Sequence, residues 1–202
     1  MSSADFYYTI EKPSVAEYKD RGSRFIAYAY SIETIDAFKD RLAGIKKEHP
    51  KATHHCFAYR LGLDKNNFRV SDNGEPSGTA GRPILGQLDS RELTNVAVFV
   101  VRYFGGSLLG VPGLINAYKT AAALALQTTS VIQKPVTVNY NLQFDYTQLN
   151  TVLSIIKQYK GVIVKQDIQL FCVIDVSIIK RSEEDVVKKI NDTRVVTITK
   201  LT

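Results

Sequence analysis

Between Asp72 and Gly113 the chain reads DNGEPSGTAGRPILGQLDSRELTNVAVFVVRYFGGSLLGVPG, a stretch that holds 8 of the 12 glycines. Glycine adds no side chain to a core and costs backbone entropy on folding. Crowding of this kind therefore implies turns, or places where the backbone approaches something closely. In its midst lies Val96-Ala97-Val98-Phe99-Val100-Val101, a continuous apolar run of strand length. That pattern belongs to a strand buried on both faces.

The flanking sequence supplies the other elements. Arg24 to Tyr30 alternates as a half-buried strand, and Thr34 is placed to cap a helix carrying Ile35, Phe38, Leu42 and Ile45, ending near His49-Pro50. His54 to Leu61 and Phe68 to Ser71 read as two strands joined by a polar turn over Gly62-Leu63-Asp64-Lys65-Asn66-Asn67. Ser77 or Thr79 is expected to cap a short helix through Leu88, with Pro83 in its first turn. Thr94 to Tyr103 is the strongest strand in the sequence. Gly105, Gly106 and Gly110 turn the chain into an alanine-rich helix over Leu114 to Gln127, which Pro112 opens.

Composition then changes at Thr128-Thr129-Ser130 and Lys134-Pro135, which places a domain boundary near 130 to 135. We therefore expect one domain over 1–134 and a second over 135–202. The second reads as a strand (Val136 to Phe144), a helix with Thr147 as cap and Gly161 as stop, and two β-rich stretches (Val162 to Gln166, Ile168 to Lys180). A helix capped by Ser182 and a last strand, Val195 to Leu201, complete it. The order β-α-β-β-α-β is the ferredoxin-like arrangement. Both domains are α+β in class.

Several functions are disfavoured by composition. No run reaches the roughly 18 apolar residues of a membrane-spanning helix. The start offers Asp5, Glu11 and Lys12 instead of a basic segment followed by an apolar one, so no secretory leader is read there and a cytoplasmic protein is expected. Two cysteines, Cys56 and Cys172, build neither a disulfide framework nor a four-cysteine zinc site. The formal charge is +6, with 17 basic against 13 acidic residues before Pro135 and 9 against 7 from it onward. An anionic partner is favoured, but no polybasic arm is present.

Four constellations can carry chemistry. Gly105-Gly106 to Gly113 joins a strand to a helix start and either cradles an anion through backbone N–H groups or is a tight turn that packs the helix. It is no P-loop, because no Lys-Ser or Lys-Thr follows, and Gly106, Gly110 and Gly113 do not make GxGxxG. Asp72, Glu75, Ser77 and Thr79 form a polar cluster that serves either as acid and base or as caps and turns. His54, His55 and Cys56 suggest metal or thiol chemistry. On a strand, however, only His54 and Cys56 share a side, so a zinc centre lacks ligands and Cys56 lacks a neighbouring base. Finally Arg24, Arg60, Arg69, Arg82, Arg102 and Lys119, interleaved with Tyr59, Tyr103, Phe104 and Tyr118, make a nucleic-acid face if the fold gathers them.

The phrases GSRFIAYAY at 22–30, ATHHCFAYRLG at 52–62, DNGEPSGTAGRPIL at 72–85 and NVAVFVVRYFGGSLLGVPGLINAY at 95–118 closely resemble the Impact family, in its bacterial, YigZ-like branch. The resemblance implies an N-terminal domain with the fold of ribosomal protein S-five domain two and a ferredoxin-like tail similar to the last domain of elongation factor G. It also implies translational regulation, since the eukaryotic relatives bind a ribosome-associated activator of a stress kinase. Asp72, Glu75, Ser77, Gly78, Thr79, Arg82, Arg102, Tyr103, Gly105, Gly106 and Tyr118 match the signature blocks. One departure is Val111-Pro112, where many relatives carry glycine or threonine, and Pro112 removes one backbone donor from an anion cradle.

Together these readings lead us to expect a non-enzymatic regulator without cofactor or metal that binds RNA, the ribosome or a translation factor and no membrane. Arg82, Arg102 and Lys119 are expected to hold phosphates, and Tyr103 and Tyr118 to stack or pack. The alternatives are a module that binds only protein, and a hydrolase using Asp72 and Glu75.

Overall fold

The structure is a computed structural model, and it describes residues 5–64 and 66–201. Lys65, placed by sequence in the hairpin turn, lies outside the described residues. The chain divides into two compact units, Tyr7–Lys134 and a second made of residues 135–201 with Asp5 and Phe6.

The first unit is built on a five-stranded antiparallel sheet. Its strands are β2 (Ser14–Asp20), β3 (Ser23–Ser31), β4 (His54–Leu61), β5 (Asn67–Ser71) and β6 (Val96–Tyr103), in the order β2-β3-β6-β4-β5. The apolar run thus lies on the central strand, and alternation sends Val96, Val98 and Val100 to one face and Ala97, Phe99 and Val101 to the other. Helix α1 (Ile35–Glu48) covers the second face, where the Phe38 ring stacks on Phe99 at 5.4 Å. Thr34 caps α1 as expected, its hydroxyl accepting from the Ala37 N–H at 3.1 Å.

Helices α2 (Gly81–Asp89) and α3 (Gly110–Gln127) cover the first face. Ala27 and Ala29 of β3 face α3, which turns Ala117, Ala121 and Ala125 into the same core, and these small side chains let the helix backbone settle close to the sheet. Pro112 sits in the first turn of α3, where a missing N–H costs no helical bond.

Three strands have no counterpart among the sequence expectations: β2, β1 (Phe6–Ile10) and β7 (Val131–Pro135), with β7 pairing β1. β7 occupies the stretch expected to hold the domain boundary. Its Gln133 and Lys134 and its short length give no apolar period to detect.

The second unit holds β8 (Thr137–Asp145), α4 (Leu149–Gln158), β9 (Val162–Asp167), β10 (Phe171–Ile179), α5 (Glu183–Asn191) and β11 (Val196–Lys200). Its sheet order, β11-β8-β10-β9, is that of a ferredoxin-like fold. β8 and β10 pair Leu142 with Ile174 and Phe144 with Cys172, and these residues pack on Val152, Ile156, Val186 and Ile190 of the helices. Local signals shift slightly. The Asp145 carboxylate, not Thr147, accepts at the start of the turn into α4, and Lys160 takes the left-handed conformation (φ 55°) just before Gly161. Ser182 occupies the cap position of α5 without a side-chain hydrogen bond. No helix among the described residues is long and apolar enough to cross a membrane.

Candidate functional site

The site grows from one row of residues across the sheet. Antiparallel register sets Phe25 of β3, Arg102 of β6 and His54 of β4 side by side. The parity that buries Val98 and Val100 under α2 and α3 carries Arg102 inward with them, while the next residue, Tyr103, points to the α1 face.

Arg102 is therefore 5% exposed and needs a buried counter-charge, which Glu75, 8% exposed, provides. Glu75 Oε1 accepts from Arg102 Nη1 at 2.6 Å and from the Tyr118 hydroxyl at 2.7 Å. The guanidinium also lies near the Phe25 and Phe104 rings, at 5.3 and 5.6 Å from their centroids. Tyr118 is fully buried, and burial followed by its contacts with Cys56 and Glu75 raises its hydroxyl pKa. Burial pushes the Cys56 thiol up to about 12, and the protonated sulfur donates to the Asp72 carbonyl at 2.9 Å. That is no nucleophile at neutral pH.

The glycine-rich acidic loop is organised by Asp72. One carboxylate oxygen accepts from the Ala80 and Gly81 N–H groups at 2.9 and 2.8 Å, and the other from Gly78 at 2.9 Å. A carboxylate on these orphan donors serves as the cap of α2. Ser77 and Thr79, the expected caps, make no such bond. Ser77 is exposed, and Thr79 is buried with its hydroxyl donating to the Pro76 carbonyl. The acid–base pairing of Asp72 with Glu75 is corrected likewise, because Asp72 is committed to backbone and Glu75 to Arg102 and Tyr118.

Burial acts to raise the Asp72 pKa, but the three backbone bonds prevail and hold it below the ordinary 3.8. The stabilisation is thus complete above the ordinary carboxylate range and is lost as pH falls through the lower folded value. Asp72→Asn is expected to lose about 1–2 kcal/mol at neutral pH. Urea unfolding curves of variant and wild type should converge in strong acid, and a gap that persists there would contradict the cap.

The nucleic-acid face expected from sequence is not assembled as proposed. Arg102 and Tyr118 are internal, so neither holds phosphate nor stacks a base at a surface. Tyr103 bonds His49 Nδ1 at 2.8 Å on the α1 side. Arg82 on α2 and Lys119 on α3 are exposed. Gly105 lies against Gly22, and its N–H donates to Ser23 Oγ at 3.2 Å, which takes that donor away from an anion cradle. Gly106 has φ +88° and turns the chain.

The structure does bring together His54, Glu75 and Arg102 at a cavity of about 350 Å³, walled by Pro76, Phe104, Leu108, Leu109, Val111 and Leu114. His54 Nδ1 lies 2.7 Å from the Asn73 carbonyl, and Nε2 lies 3.7 Å from Glu75 Oε1. Sequence reasoning dismissed His54 as a metal ligand and passed over Leu108 and Leu109. The shared parity of His54 and Cys56 was the available signal. Among the described residues no group of His, Cys, Asp and Glu is arranged to hold a metal ion.

Comparison with known proteins places this architecture. Residues 21–126 match the Impact N-terminal domain. The chain is 37% identical over 158 residues to IMPACT family member YigZ of Escherichia coli (strain K12), covering 77% of this chain and 78% of that one. It is 35% identical over 94 residues to Protein IMPACT of Rattus norvegicus, covering 45% of this chain and 30% of that protein. A crystal structure described only as that of a hypothetical protein superposes with a TM-score of 0.77 at 30% identity, covering 98% of both chains.

Proposed function

The chain belongs to the Impact family, and from that membership we propose that it is a cytoplasmic, translation-associated regulator that works by binding RNA, the ribosome or a translation factor. The observation that carries the non-catalytic part is the employment of the polar groups in the signature loops. Asp72 caps a helix, Glu75 neutralises Arg102, and Cys56 stays protonated. A hydrolase needs a free nucleophile–base pair, and these groups are engaged in structure. Translation is the setting implied by the resemblance to the eukaryotic regulators.

Of Arg82, Arg102 and Lys119, the three cations expected to hold phosphates, Arg82 on α2 and Lys119 on α3 are exposed and available to a polyanion. Cosedimentation with ribosomes at two salt concentrations tests the reading. Wild type should associate in a salt-sensitive manner, and Arg82→Ala with Lys119→Ala should reduce the salt slope by roughly 2. A wild-type chain that never associates, or a variant with an unchanged slope, would sink the phosphate-contact part.

A second reading, a module that binds protein alone, is favoured by the exposure of Phe104, Leu108 and Val111 beside the glycine turn. Association that survives nuclease treatment would support it.

A further inference from the structure

We propose that the cavity above the Glu75–Arg102 pair takes one bulky apolar side chain of a polypeptide partner, and that His54 and Arg102 bind the peptide group beside it. This rests on the binding reading above and narrows the partner to a protein.

The cavity, about 350 Å³, is near the lower end of the roughly 300–1,000 Å³ of small-ligand sites, which suits one large side chain with its peptide unit. Its walls are mainly aliphatic. At its mouth Leu108 is 84% exposed, Val111 51% and Phe104 47%, a grouping of apolar side chains that solvent alone does not favour.

Two polar atoms define the complement. Arg102 lines the cavity, its side chain is 6% exposed, and its Nε–H has no hydrogen-bond acceptor among the described residues. Such a buried, unmet donor is rare and calls for an acceptor. His54 Nδ1 faces the Asn73 carbonyl, which can only accept, so Nδ1 donates there, and Nε2, 3.7 Å from Glu75 Oε1, stands at the cavity wall as the ring's second polar atom. The unmet Arg102 donor, with the His54 ring beside it, matches the C=O of a peptide group.

Charge decides against a nucleotide. Arg102 is the only Lys or Arg in the lining, and Glu75 already neutralises it, so the cavity offers no free cation to a phosphate.

The test pans a random-peptide display library on the full chain and measures the affinity of the enriched peptides. They should share a bulky apolar residue, and Leu108→Asp with Val111→Asp, both at exposed positions, should weaken them by about tenfold or more. In the wild type, peptide saturation should move the Arg102 Nε–H resonance. Three results would each overturn the inference: no enrichment over bare support, equal binding by the double variant, or displacement of the peptides by short single-stranded RNA whose own binding the same variant weakens. Ribosome cosedimentation of the double variant separates the levels. Failure of the peptide arm with ribosome association intact removes this inference alone, and failure of both removes the binding reading as well.

Discussion

Glu75→Ala is expected to destabilise the N-terminal unit by about 3–5 kcal/mol, because it strands the Arg102 guanidinium in a site from which water is largely excluded. It also takes the acceptor from the buried Tyr118 hydroxyl. The apolar surroundings of the pair yield a sharper expectation. Phe25 and Phe104 lie about the guanidinium, so Arg102→Met places a side chain of similar length in a compatible environment. Combined with Glu75→Leu it should cost less than Glu75→Ala alone, although it removes one more charged group. Urea denaturation of the three proteins measures this. A double variant less stable than the single one would mean that the pair contributes through its geometry more than through mutual neutralisation.

Gly105→Ala should have an effect of similar size, about 3 kcal/mol or more, for a steric reason. A Cβ on Gly105 would stand 1.9 Å from the Gly22 carbonyl carbon and 2.2 Å from the Ser23 nitrogen. Both are backbone atoms that no rotamer change can move. The variant must separate the start of β3 from the turn after β6, which also breaks the Gly105 N–H to Ser23 bond. Gly106→Ala is the control. Nothing lies within 4 Å of a Cβ at Gly106, so only its positive φ of 88° opposes the change, at a cost of about 1–2 kcal/mol. Equal losses in the two variants would show that conformation, and not close approach, is what glycine supplies here.

The two residues show why the glycine-rich segment was only half legible. Crowded glycines announce either close approach or unusual φ, but they do not say which residue does which or what is approached. The partner of Gly105 is Gly22, more than eighty positions earlier, and only the pairing of β3 with β6 brings them together. Arg102 was misplaced for a related reason. It follows a continuous apolar run, and its fate depends on whether a counter-charge waits on the same face. That counter-charge, Glu75, arrives from a loop beyond a neighbouring strand.

From the sequence alone came the elements with strong local periodicity, the βαββαβ order of the tail, the Thr34 cap, the double-faced burial of the central strand and the family resemblance. These follow from side-chain alternation, helical spacing and capping chemistry, which act over a few residues. Tertiary structure decided that Asp72 caps α2, that Arg102 and Tyr118 are internal and bound to Glu75, and that His54 opens onto an apolar cavity. Those outcomes depend on which distant side chains share a face, and desolvation makes the answer all-or-none: a buried guanidinium with a carboxylate beside it is part of the core, and one without it stays in water.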